Sequence, residues 1–257
     1  MDISNLQTQY KLFHKYWYHG SDTESLKDLK TADQLRIKII PQLEDLLNDE
    51  IRGDMAKLFG EFAEFLFDYF MLSMKLDNNN TAVYALHQMK EMAQRAVTLD
   101  QHCWIGHYFL VAHHSWNLKK THTGDIPALY RGEDAATTIV GTAFNLLFKG
   151  VTLGATATMS GISKSNFSNS VRNLLSAYQW HVQQSSLDAI QYLKMTTRLF
   201  DIADYCEDIR NRLWQDIYRT VRDVDLSNID YSELNPEEVP DAKEAVMEFY
   251  ILADSKV

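Results

Sequence analysis

Cys103, His107 and His114 step by four and then seven positions, which places all three on roughly one face of a helix. His87 lies on the preceding predicted helix of the same hairpin. Thiolate sulfur and imidazole nitrogen are ligands that zinc accepts, so Cys103, His107 and His114 are candidate metal ligands. The signatures that would give such a set force are absent: there is no CxxC, no HExxH, and no Glu-x-x-His from which a di-iron bundle is built. Packed or surface histidines are the simpler reading, and no metal or cofactor is expected.

Nucleophilic and acid–base chemistry have less support. Cys103 and Cys206 each sit within an apolar helical period, where cysteine usually acts as a small buried hydrophobe. No G-x-S-x-G occurs, and the stretch from Gly154 to Ser165 misses the spacing of a phosphate loop. Glu61, Glu64 and Asp68 share one stripe, as do Asp201, Asp204 and Asp208 with Glu207 beside them. Both stripes read as solvated helix faces, since acid–base work needs carboxylates in a cleft with shifted pKa values. No catalytic residue is assigned, and the balance leans against an enzyme. Aromatic residues are the other resource: Tyr84, His87, Trp104, His107, Tyr108 and Trp116 are the candidate partner-binding set, with Trp180 and Trp214 further along.

The elements that must carry these residues are helices. Only four prolines and ten glycines occur in 257 residues, and Leu, Met, Ala, Gln, Lys and Glu fill the periodic segments. The expected fold class is all-α, as stacked antiparallel helical hairpins or an irregular helical bundle. The chain reads as a single domain over 1–257, with a division near 119–163 into parts 1–118 and 164–257 as the alternative. Leu6, Tyr10, Phe13 and Trp17 draw the stripe of a first helix over Ile3–Tyr18, stopped at His19-Gly20 and followed by a cap. Thr31 is expected to cap a second helix, interrupted at Pro41. The segment from Ile51 to Leu76 is apolar on most sides and should be central. Helices over Ala82–Thr98 and His102–Leu118 are joined by a turn so short that they must form a hairpin. Ser165 or Asn166 starts a helix through His181; Ser186 caps a long run to about Val224, and Asn235-Pro236 opens a last helix.

Ala96-Val97-Thr98-Leu99-Asp100, with Leu110 in the following helix, resembles the junction between two tetratricopeptide repeats. The resemblance covers residues 81–117. Gln101 stands where that family usually has proline, Met89 where it has a small residue, and no second copy follows at a 34-residue period. The resemblance implies a helical-hairpin stack with a concave surface for a peptide or partner helix.

Charge and composition narrow the partners. The net charge of −10 comes without any basic run, which argues against nucleic acid. Ten acidic and three basic residues lie between Arg222 and Val257, a solubilising face or a docking surface for a basic partner. Residues 124–161 hold six of the ten glycines, and Lys149 is the only charge from Ala135 to Ser163. No signal pattern opens the chain and no stretch is apolar enough to span a bilayer, so a cytoplasmic location is expected. The leading expectation is a non-catalytic scaffold binding a peptide or protein partner through a groove between hairpins, homo-oligomers included. The alternatives are a metal-binding or enzymatic protein using the His/Cys cluster, and a membrane-active protein using the uncharged 135–163 segment.

Overall fold

A computed structural model describes residues 3–122, 165–181 and 183–184, together with positions 232, 240, 243 and 247. Among the described residues the chain is all-α, with no strand. The helices are α1 (Ile3–Asp22), α2 (Leu26–Glu44), α3 (Arg52–Lys75), α4 (Asn79–Leu99), α5 (Trp104–His122) and α6 (165–181). The long run over Ser186–Val224, its acidic stripe, Cys206, Trp214, the 124–163 segment and the Asn235-Pro236 helix start lie outside the described residues.

α3 is the central helix, as its composition requires. Phe59, Phe62, Phe65, Leu66, Tyr69 and Phe70 are all buried, and α1, α2, α4 and α5 all contact it. Phe13 of α1 packs edge-on against Phe62 and Phe65, with ring centroids 5.3 and 5.1 Å apart. α6 joins the same core through Phe167, Val171, Leu174 and Tyr178, one stripe at three- and four-residue steps.

Gly20 does not stop α1. The helix continues to Asp22, and Gly20 is where α2 comes closest: a Cβ there would lie 2.7 Å from Leu29 Cδ2 and 3.0 Å from Leu29 N. The chain turns away two residues past Asp22 at Glu24, which adopts the left-handed conformation (φ 54°), with Ser25 N bonded back to Gly20 O at 2.8 Å. The cap of α2 is Ser25 and not Thr31, whose hydroxyl bonds back to Lys27 O inside the helix at 3.0 Å. Pro41 does not break α2 either. It falls in the last turn, where the helix runs only to Glu44, so the lost hydrogen bond is tolerated.

The two turns are built alike. At the end of α3, Asp77 is left-handed (φ 54°), Asn78 N bonds to Ser73 O at 2.8 Å, and Asn78 then caps α4 by accepting from Thr81 N at 3.3 Å. Glu24 and Ser25 therefore have counterparts 53 positions later in Asp77 and Asn78. The core obeys the same interval: Leu6 and Phe59, Phe13 and Leu66, Trp17 and Phe70, Ala32 and Ala85, Ile39 and Met92, Leu43 and Ala96 are all buried. The first two hairpins thus correspond in their turns and in these buried positions, and five side-chain pairs bridge them at one separation. Tyr10–Glu61, Trp17–Asp68, Glu24–Lys75, Asp33–Tyr84 and Glu44–Arg95 are each 51 residues apart. α1 stacks beside α3, and α2 beside α4.

Candidate functional site

The structure divides the six aromatic and histidine candidates. Trp104, His107 and Tyr108 are buried in the core at the start of α5. Trp116 is half-buried, edge-on to Phe70 with centroids 5.0 Å apart. Tyr84 and His87 remain at the surface, one turn apart on α4.

Tyr84 is exposed but not free to turn. Its hydroxyl donates to Asp33 Oδ2 at 2.8 Å, and Arg36 Nη2 lies 3.3 Å from the same hydroxyl oxygen. Asp33 and Arg36 sit one turn apart on α2, and Arg36 is 1% exposed despite its charge. Its guanidinium meets Asp33 Oδ1 through both Nε (2.9 Å) and Nη2 (2.8 Å), and Nη2 also reaches Gln88 Oε1 at 3.3 Å. A buried arginine with this many acceptors is satisfied, so the pair rigidifies the α2–α4 contact. Burial first, and then the bond to Asp33 and its negative charge, push the Tyr84 hydroxyl up to about 12, so it stays a donor at neutral pH. Val83 and Ile37, the latter one turn on from Asp33, are exposed as well (37% and 50%).

This buried pair escapes a reading of apolar periodicity. A stripe of Leu35, Ile39, Leu43 and Leu46 describes α2, whereas the buried face is Leu29, Ala32, Asp33, Arg36, Ile39 and Leu43. The available signal is an Asp–Arg pair at i and i+3 inside an otherwise apolar stripe.

The structure does not gather Cys103, His107 and His114 into one cluster. Among the described residues no group of three or more His, Cys, Asp or Glu side chains is placed to hold an ion. Cys103 Sγ points to Ala56 O at 3.6 Å, and burial pushes its thiol up to about 11. His107 Nε2 donates to Gln101 O at 2.8 Å, and burial holds its imidazole below the ordinary histidine range. His114 stands edge-on to His113, 5.3 Å between centroids. His113 is held down to about 3, by burial first and then by His114, Lys90 and His87.

The Glu61–Glu64–Asp68 stripe is not a solvated face. Glu61 accepts from the Tyr10 hydroxyl, and Asp68 accepts from Trp17 Nε1 at 2.7 Å. These carboxylates anchor the polar tips of aromatic residues whose rings α1 buries, forming a seam between α1 and α3.

The Asp100–Cys103 turn between α4 and α5 is held from several sides. Arg52 Nε of α3 donates to Leu99 O at 2.8 Å, and Asp100 Oδ1 accepts from His102 N at 2.9 Å. From α6, His181 Nε2 donates to His102 O at 2.7 Å, while Trp180 stacks on the His102 ring at 4.2 Å and 9°.

Over the described residues these features define an all-α stack of helical hairpins. No protein-family model, no curated protein and no solved structure matches the chain.

Proposed function

We propose that this chain is a non-catalytic helical scaffold that engages a peptide or protein partner on its α2–α4 face. The observation that carries the reading is Tyr84: an aromatic ring 38% exposed whose hydroxyl is locked by the buried Asp33–Arg36 pair. A side chain already ordered loses little conformational entropy on binding, and rigid tyrosines are favoured anchors at interfaces for that reason. Exposed Val83, Ile37 and His87 supply a surround for such an anchor. The candidate chemical groups are otherwise engaged, with Cys103 and His107 directing their reactive atoms to backbone carbonyls. A cytoplasmic setting belongs to the same proposal and rests on the low cysteine content.

The test is site-specific photo-crosslinking of the full chain in cells, with a benzoylphenylalanine at Val83, at His87, or at Lys57 as a remote control. A discrete adduct from 83 or 87, absent from 57 and lost on Tyr84→Ala, supports the reading. An adduct of twice the chain mass identifies the partner as a second copy. Equal adducts from all three positions, or adducts indifferent to Tyr84→Ala, reject it.

A further inference from the structure

We propose that the groove between α4 and α5, lined by His87, Lys90, His113 and His114, is a binding site for a phosphate-type oxyanion. The register of the two helices brings these residues together. α4 and α5 approach closely at Gly106, where a Cβ would lie 3.0 Å from Ala93 O, Ala96 Cβ and Val97 Cγ2. The short turn between the helices makes them antiparallel, so equal steps away from that contact stay level. Seven residues on from Gly106 along α5 is His113, and seven back from Ala93, Ala96 and Val97 along α4 spans 86–90. His113 therefore faces the turn of α4 that carries His87 and Lys90. His114 stands edge-on beside it, 5.3 Å between ring centroids. His87 is exposed and the other three side chains are half-buried, so the cluster opens to solvent through His87.

The helices around this groove are short of carboxylates. The net charge of the chain is −10, yet α5 and α6 contain no aspartate or glutamate, and α4 contains only Glu91. Glu91 is held by Arg95 and Gln88, each at 3.1 Å, and Arg95 also pairs with Glu44 of α2. α3 commits Glu61 and Asp68 to Tyr10 and Trp17 of α1, and its Glu64 lies beside Tyr18 of the same helix. Among the described residues no carboxylate pairs with His87, Lys90 or His114.

An ammonium group and several imidazoles thus share one opening with no counter-ion of their own. Burial, followed by these basic neighbours, holds His113 and His114 below the ordinary histidine range. A phosphate group carries up to two negative charges and three strong acceptor oxygens, enough to meet the ammonium and the ring N–H groups at once. Seated there, it favours the charged imidazoles and reverses the effect of their neighbours.

Inorganic phosphate and O-phosphoserine are the probes, titrated into the full chain at constant ionic strength against sodium chloride. Phosphate should move the NMR ring titrations of His113 and His114 upward by about one unit or more, and raise Tm above the chloride control. Lys90→Ala and His114→Ala should each weaken binding by about tenfold, and Lys90→Arg should keep it. Tighter binding of O-phosphoserine marks a phosphorylated side chain as the natural source, and equal affinity marks a free ion; both support the site. Ring titrations that move equally in chloride overturn it, and so does phosphate affinity unchanged in Lys90→Ala and His114→Ala. Should those variants fail to fold, the wild type decides, and the absence of any upward movement specific to phosphate overturns the site. No protein partner enters the experiment, so its failure leaves the α2–α4 face untouched.

Discussion

The Tyr84 hydroxyl and the Asp33 carboxylate meet at 2.8 Å across 51 residues of sequence, the separation that also joins Trp17 to Asp68. In both pairs an aromatic donor on one hairpin reaches a carboxylate on the other. The two hairpins are locked in one register by contacts that repeat between equivalent elements.

Asp33 and Arg36 should be costly to break singly and cheap to replace together. Asp33→Leu leaves a buried guanidinium without its carboxylate and should destabilise by about 3–5 kcal/mol in urea unfolding. The positions one unit later are Leu86 and Met89, so the equivalent site is built from apolar residues. Asp33→Leu/Arg36→Met/Tyr84→Phe should unfold within about 2 kcal/mol of the wild type, and an additive loss would refute the pairing.

Gly20 and Gly53 make a controlled contrast. Gly20→Ala puts a methyl against the Leu29 backbone and side chain, and should cost about 1–3 kcal/mol despite alanine's better helix propensity. Gly53 lies in the first turn of α3, and a methyl there would meet nothing within 4 Å, so Gly53→Ala should gain about 0.4–1 kcal/mol. Thermal unfolding of both variants checks the sign of each.

Acid should destabilise the α4–α5 hairpin through His113. Its folded pKa of about 3 lies well below the ordinary histidine value, so stability is full above that value and declines as pH falls toward about 3. Between pH 6.5 and 5 the loss is at most about 2 kcal/mol for this one group. His113→Leu should flatten the dependence of Tm on pH over that range, whereas a profile identical to the wild type would show that His113 is not the titrating group.

Cys103 should be unreactive in the folded protein. With its thiol at about 11 and its sulfur buried, Ellman's reagent near pH 8 should label it only after unfolding. A Cys206→Ser variant isolates the measurement; prompt labelling of the native protein would contradict the burial.

Much of this was legible in the residues themselves. The apolar density of Phe59–Phe70 marks α3 as central, and the stripe of α1 names Leu6, Phe13 and Trp17, which the structure buries. The correspondence between the first two hairpins was not legible, because burial matches at a 53-residue interval where residue identity mostly does not: Leu6 answers to Phe59 and Ile39 to Met92. A search at 34 residues cannot meet it. The candidate site was half visible. Tyr84 and His87 do face solvent, but Trp104, His107 and Tyr108 share the helical spacing of a binding stripe and are core. Periodicity reports which side chains share a face, and it is silent on whether that face meets water or a neighbouring helix. The same silence hid the partners of Glu61 and Asp68, since a carboxylate stripe opposite buried rings looks identical to one opposite solvent.

Glu24 and Asp77 occupy the left-handed position that glycine fills most easily, and each stands one residue ahead of the cap that starts the next helix. Both hairpins therefore bend at a residue type that adopts this backbone conformation at some cost. The neighbouring unit touches one bend: Lys75, at the end of the second unit's first helix, reaches back to Glu24 in the bend of the first. An excised single hairpin would carry that backbone cost without the ion pair that spans the two units.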